Sequence, residues 1–266
     1  ISESGIEATG VGITVANING GQISGRRNLI INGAMQVAQR GTSSTSTGYN
    51  SVDRFAVNFT GTDEAVTQAQ VDVSSGTTPY TSGFRKALKV TNGNQTSGAG
   101  ADDYVYIAQK FESQDISNSG WNYLSSSSFI TLSFWVKSSV AQNFYGYVRT
   151  HDGTKYNYPF ETGSLTADTW TKITKTIAGN SNIQIDNDAN TGFEVVIAPF
   201  LGTNDTASVT LNQWVAWNSG VNRTPDNTTT WYTTNDATFE VTGLQLEVGS
   251  QATAFEHRSF GEELAL

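Results

Sequence analysis

The run TFEVTGLQLEV (Thr238–Val248) reads as a buried strand with an irregularity built into it. Phe239 and Val241 alternate with polar residues. Leu244, Leu246 and Val248 alternate too, but in the opposite phase. Side chains on a strand point to the two faces with a period of two, so a slip of one residue at Thr242-Gly243 would turn the apolar side away from the core. A β-bulge at that point restores the facing.

The same alternation recurs across most of the chain. In Phe129–Lys137, Ile130, Leu132, Phe134 and Val136 point one way, and Phe129, Thr131, Ser133, Trp135 and Lys137 the other. Asp53–Phe59, Glu64–Val73, Lys86–Thr91, Tyr104–Phe111, Trp170–Ile177, Gly192–Ala198 and Ala207–Trp217 are further strand candidates. Polar loops such as Gly41–Tyr49 and Asn92–Gly100 separate them. Helical periodicity is confined to a possible turn at Glu112–Ile116 and to the last residues. No internal repeat suggests a propeller or a solenoid. The expected fold is all-β, a two-sheet antiparallel sandwich, with residues 28–266 as its domain.

Composition removes several classes of function. The chain of 266 residues has a net charge of -9, which argues against binding nucleic acid through its phosphates. It has no cysteine, so a disulfide scaffold and a Cys-based zinc site are ruled out. No apolar run is long enough for a membrane-spanning helix. The first residues lack the pattern of a signal peptide, and the chain begins without Met, as a fragment or a processed product would.

Beyond the bulged strand the chain continues through Ala252-Thr253 and Phe255-Glu256-His257-Arg258 into a short acidic tail. This ending resembles the closing strand of virion proteins of tailed bacteriophages, tail-fibre proteins above all. Arg26-Arg27-Asn28-Leu29-Ile30-Ile31-Asn32-Gly33-Ala34-Met35 looks like the opening strand of the same family. The two matches bracket the domain and imply that it is complete. Such domains resemble carbohydrate-binding modules of jelly-roll architecture, a likeness carried here by the strand style of ITLSFWVKSS. The resemblance implies a location in the virion, as a tail fibre or on the particle surface, and assembly as a homotrimer. Residues 1–27, where scattered apolar residues lack an aromatic anchor, read as the end of a fibre shaft or as a linker. An edge strand or a loose terminus is the alternative.

Asp152-Gly153 is the strongest hairpin signal. A two-residue turn there pairs Arg149 with Tyr156, Tyr147 with Tyr158, and Tyr145 with Phe160, all on one face. That face would be an aromatic ladder on which sugar rings stack, with Arg149, His151 and Asp152 supplying hydrogen bonds. Packing in the core or at a subunit interface explains the same ladder. Trp214, Trp217, Trp231 and Tyr232 surround the loop Asn218–Thr230. Trp231 and Tyr232, set among Asn and Thr, are candidates for contact with a glycan or a partner, the alternative being a loop pinned by its own aromatics.

Catalysis finds little support. With two histidines, His151 and His257, no relay with Ser and a carboxylate can be assembled from local spacing, and neither a nucleophile elbow nor a phosphate loop occurs. Carboxylates able to serve glycoside hydrolysis would be Asp102, Asp103, Glu112, Asp152 and Glu161. Each reads more simply as a loop residue or an ion-pair partner, and no enzyme is expected. Asp186, Asp188 and Asn190 begin like a calcium loop, but Thr191 and Ile197 stand where Gly and Glu are needed. The structural calcium that the module resemblance implies loses its charged ligands, because Gln36 and Thr242-Gly243 occupy the corresponding places. No cofactor is expected. Arg40, Asp53, Arg54 and Glu247 read as structural ion pairs.

Two functions remain open. One is an adhesin that attaches the virion to host cell-surface polysaccharide or lipopolysaccharide. The other is a structural component, such as a capsid decoration, head fibre or tail-tip connector, whose aromatic faces pack against other virion proteins.

Overall fold

The computed structural model of the chain describes residues 26–218 and 221–266. Two antiparallel sheets of six strands each form a β-sandwich of the jelly-roll type. The first sheet runs β1 (Ser43–Ser44), β3 (Thr67–Asp72), β4 (Lys86–Thr91), β12 (Thr238–Val248), β6 (Phe129–Ser138), β9 (Thr171–Ala178). The second runs β11 (Val215–Ala216), β8 (Tyr156–Ser164), β7 (Asn143–Thr150), β10 (Thr191–Leu201), β5 (Tyr104–Glu112), β2 (Ala56–Thr60). Short helices lie at α1 (Thr78–Thr81), α2 (Ser113–Ser117), α3 (Thr230–Thr233) and α4 (Phe260–Leu264). None is long and apolar enough to cross a membrane.

The core lies between the sheets. Leu132, Phe134 and Val136 of β6 and Phe239, Val241 and Leu246 of β12 meet Val105 and Ile107 of β5 and Phe193, Val195 and Ile197 of β10. Each such side chain contributes about 1.5–3 kcal/mol on burial, which lets a chain without disulfides hold together.

The bulge in β12 falls where the alternation slips. Thr242 stands opposite Trp135 and Gln245 opposite Ser133, with one residue too many between them. Gly243 takes a φ of 64°, and a Cβ there would lie 2.6 Å from the Phe84 ring. Only glycine satisfies both demands. The bulge also ends the ladder between β12 and β4, whose last pair is Val241 with Leu88.

The edge freed past the bulge is taken by the opening segment. Leu29 N–H donates to Leu246 O at 2.8 Å, and Leu244 N–H donates to Gly33 O at 3.0 Å. The Asn28 side chain bridges the same stretch, donating to Leu244 O at 3.0 Å and accepting from Leu246 N–H at 3.0 Å. Arg26–Met35 is therefore not the regular strand expected. It is an irregular segment whose hydrogen bonds go largely to side chains.

The closing segment locks over it. Arg258 donates to Ile30 O at 3.2 Å and to Asn28 O. Glu263, which is buried, accepts Asn32 N–H at 2.7 Å. Glu247 pairs with Arg27 at 3.4 Å, as an ion pair at the sheet margin should. Asp53, by contrast, accepts Gln39 N–H at 3.0 Å, and Arg40 and Arg54 have no ion-pair partner among the described residues.

The strand expected over Ala207–Trp217 shrinks to β11. The segment leaves the end of β10 and turns along the sheet edge, where Asn212 N–H donates to Pro159 O at 2.8 Å. The segment expected as shaft or linker, residues 1–27, falls almost wholly outside the described residues.

Candidate functional site

The hairpin of β7 and β8 pairs one residue out of the register expected from a two-residue turn. Tyr145 stands opposite Glu161, Tyr147 opposite Pro159, Val148 opposite Tyr158 and Arg149 opposite Asn157. The connection is longer because Asp152 is held by other elements. Its carboxylate accepts Ser113 Oγ–H and Asp186 N–H, both at 2.8 Å. A shift of one residue puts Tyr147 and Tyr158 on opposite faces and dissolves the ladder. Tyr158 goes to the core, where it meets Trp214 edge-on at 5.4 Å, and Tyr156 shares its side of the strand.

Tyr145, Tyr147 and Arg149 point to the outer face of the second sheet. Tyr147 packs there with Ala108, Val196, Ala198 and Leu201, and is 1% exposed. Burial, with Glu194 adding to it, pushes its hydroxyl far above the usual tyrosine range. Around it lie half-exposed rings: Tyr145, Tyr104 and Tyr106, the last two 5.2 Å apart, and Trp217, which directly follows β11. Burial raises the Tyr106 hydroxyl to about 12, so it is a neutral donor at any physiological pH.

Two arginines hold Trp217 and Tyr104 among these rings. Arg149 stacks over Trp217 at 4.2 Å, and Arg223 lies 5.6 Å from Trp217 and 5.9 Å from Tyr104. Each such contact stabilises by about 0.5–2 kcal/mol, depending on desolvation. Arg149 also pairs with Glu194, whose other oxygen is 3.4 Å from His151 Nε2. Burial pushes the Glu194 carboxyl up, but His151 and Arg149 outweigh it and hold it below the usual range. Arg223 pairs with Asp205 at 2.9 Å. Nε of each arginine and Oδ1 of Asn157 are buried without a partner among the described residues, so polar atoms on this face have hydrogen-bonding capacity to spare.

Trp231 and Tyr232 do not face a ligand. Both are 0% exposed. Trp231 donates its indole N–H to Thr238 O at 3.1 Å, while Tyr232 stacks on Phe200 at 4.4 Å and its hydroxyl meets Asp103 at 3.0 Å. They are the aromatics that pin the loop.

The carboxylates considered for catalysis have structural partners. Asp102 accepts from Asn204 at 2.7 Å, Glu112 from Gln114 at 2.5 Å and Glu161 from Asn143 at 2.8 Å. Asp188 turns back on Asn190, and the described residues hold no cluster of three or more His, Cys, Asp or Glu spaced for a metal.

Sequence reading missed Glu194, Arg223 and the pair Tyr104–Tyr106. A charge inside the apolar run GFEVVIA was the available signal for Glu194, since a buried carboxylate needs partners.

Cavities also open among the described residues, two of which bear on binding. One, of about 370 Å³, lies between the closing segment and Trp135, with Phe84, Phe255, His257 and Lys172 in its wall. The other, of about 690 Å³, is lined by Gln39, Arg40, Tyr49, Asp53, Arg54 and Lys110.

The class that these features define is the two-sheet antiparallel β-sandwich of jelly-roll type. No protein-family model matches the chain, and no curated protein matches it in sequence. Among solved structures, the enzymatically active domain of tailspike protein 4 of bacteriophage CBA120 is 8% identical over 83% of this chain and 21% of its own length, with a TM-score of 0.43. A putative sugar-binding protein from Bacteroides thetaiotaomicron is 11% identical, covers 83% of this chain and 99% of that one, and has a TM-score of 0.43. The N-terminal cellulose-binding domain of Cellulomonas fimi β-1,4-glucanase C is 12% identical over 82% and 99%, with a TM-score of 0.36. The chain thus spans about a fifth of the tailspike domain. At these identities no residue role passes from those proteins to this chain.

Proposed function

We propose that this chain is a non-catalytic glycan-binding domain of a phage virion fibre, which attaches the particle to host cell-surface polysaccharide or lipopolysaccharide. The observation that carries the binding role is the outer face of the second sheet. There Tyr104, Tyr106, Tyr145 and Trp217 stay half exposed while Arg149 and Arg223 hold Trp217 in place. Rings fixed before binding offer flat apolar area at little entropic cost. The virion assignment and the homotrimer come from the opening and closing phrases. Weak contacts multiplied in such a fibre give avidity without a deep pocket.

The test is retention of labelled protein on bacterial envelope polysaccharides and intact cells, with soluble sugar as competitor. Competable retention that disappears in Tyr106→Ala/Trp217→Ala supports the reading. No retention across a broad panel makes the chain a structural virion component instead.

A further inference from the structure

The cleft beside Lys110 differs in charge from the chain around it. The protein carries a net charge of -9, yet three of the six residues lining the cleft are cations, Arg40, Arg54 and Lys110, against the single acid Asp53. None of the three has an ion-pair partner among the described residues.

The wall that carries Arg54 is rigid. Asp53 N–H donates to Val37 O at 3.0 Å, its carbonyl accepts from Asn32 at 2.9 Å, and its carboxylate is held by Gln39 N–H at 3.0 Å. Arg54 itself takes a φ of 72°, a conformation that few residues with a Cβ adopt. Asp53 is thus engaged by backbone, and the tight corner presents a guanidinium beside two further cations. Tyr49, an exposed residue, adds a phenol.

We infer that this cleft binds the anionic group of a charged saccharide, a uronic-acid carboxylate or a sugar phosphate. The inference rests on the glycan-binding reading above and names its ligand class. Cations outnumber acids in this lining by three to one, and an anion seated there would balance that excess while accepting paired N–H bonds from the guanidinium groups. A volume of about 690 Å³ lies in the range of small-ligand sites, roughly 300–1,000 Å³. The cleft also adjoins the aromatic face. Lys110 stands opposite Glu194, and Glu194 opposite Arg149, in one row across three strands. A glycan stacked on the rings would reach the cleft with its next charged unit.

The test titrates three oligosaccharides into the full chain at low salt: an oligogalacturonate, a phosphorylated mannan fragment and an uncharged galactan fragment. In parallel, NMR follows Gln39 and Tyr49 on addition of free galacturonate or inorganic phosphate. At least one charged oligosaccharide should bind about tenfold or more tighter than the neutral one. Arg40→Ala/Lys110→Ala should erase that preference and leave neutral binding unchanged. Arg54→Asn, which tolerates the left-handed conformation, should weaken it in a well-folded chain. Whether galacturonate or phosphate moves Gln39 and Tyr49 identifies the anion. Trp217→Ala separates the two readings, because it should abolish neutral binding without altering the shifts of Gln39 and Tyr49. Anion shifts without any oligosaccharide binding would sustain the cleft and sink the glycan reading. Equal affinity for charged and neutral sugars, a preference that survives the double substitution, or silent Gln39 and Tyr49 would each overturn the inference.

Discussion

Glu256 accepts the backbone N–H groups of both Arg27 and Asn28, at 3.0 and 2.9 Å. One carboxylate near the C-terminus therefore replaces the strand that the opening segment lacks as a neighbour. Arg258, beside it, pairs with the same carboxylate at 2.9 Å and reaches the carbonyls of Asn28 and Ile30. The opening and closing segments are thus two halves of one structural clasp.

Glu256→Gln should cost about 1–3 kcal/mol, since two amides lose a charged acceptor. Asn28→Ala should cost a similar amount, because Leu246 N–H and Leu244 O lose the side chain that bridges them. Urea titration should show a lower midpoint with an unchanged slope in both.

The clasp also sets an acid limit. Burial raises the Glu256 carboxyl, but the amides of Arg27 and Asn28 and the Arg258 guanidinium outweigh it and leave it below its ordinary value. A group depressed in the folded state contributes stability above its unfolded pKa, about 4.3, and loses it as pH falls through the folded value. Glu194 acts in the same direction. The stability gap between wild type and Glu256→Gln should therefore be full at neutral pH and close as pH drops below about 4. A gap that stays constant down to pH 3 would remove the electrostatic account.

Gly243→Ala should destabilise by about 1–3 kcal/mol through the positive φ alone, with a steric cost in addition. The added Cβ would meet the Phe84 ring at 2.6 Å. Combining it with Phe84→Leu should recover only the steric part, and a double-mutant cycle in thermal unfolding measures that share.

Local pattern made the strands legible. Lys86–Thr91 coincides with β4, and the slip at Thr242-Gly243 marks the bulge, because alternation along a strand reports directly which face is buried. The hairpin register was not legible. It depends on Ser113 and Asp186 holding Asp152, and both residues lie far from it in sequence. The outer face suffered from the same gap. Tyr147 alternates like a surface residue, yet the segment after β11 brings Trp217 and Arg223 to this face around Arg149 and Tyr104. Trp231 and Tyr232 sit in a polar stretch, and nothing nearby announces that Phe239 and Phe200 will receive them.

The contrast between Trp231 and Trp217 separates structure from function. Trp231 is buried, hydrogen-bonded at both its backbone and its ring, and packed on Phe239 at 6.5 Å. Trp231→Ala should cost about 3–5 kcal/mol and lower the melting temperature by more than 5 °C on the scale of such losses. Trp217 stacks with Arg149 and Arg223, and its backbone N–H donates to Lys155 O at 2.8 Å, a bond that truncation of the ring keeps, so the loss is about 1 kcal/mol. Trp217→Ala should melt close to wild type and yet lose retention on glycan. Calorimetric melting and affinity retardation on the same two proteins provide the check. If Trp217→Ala keeps full retention, the outer face is not the binding surface.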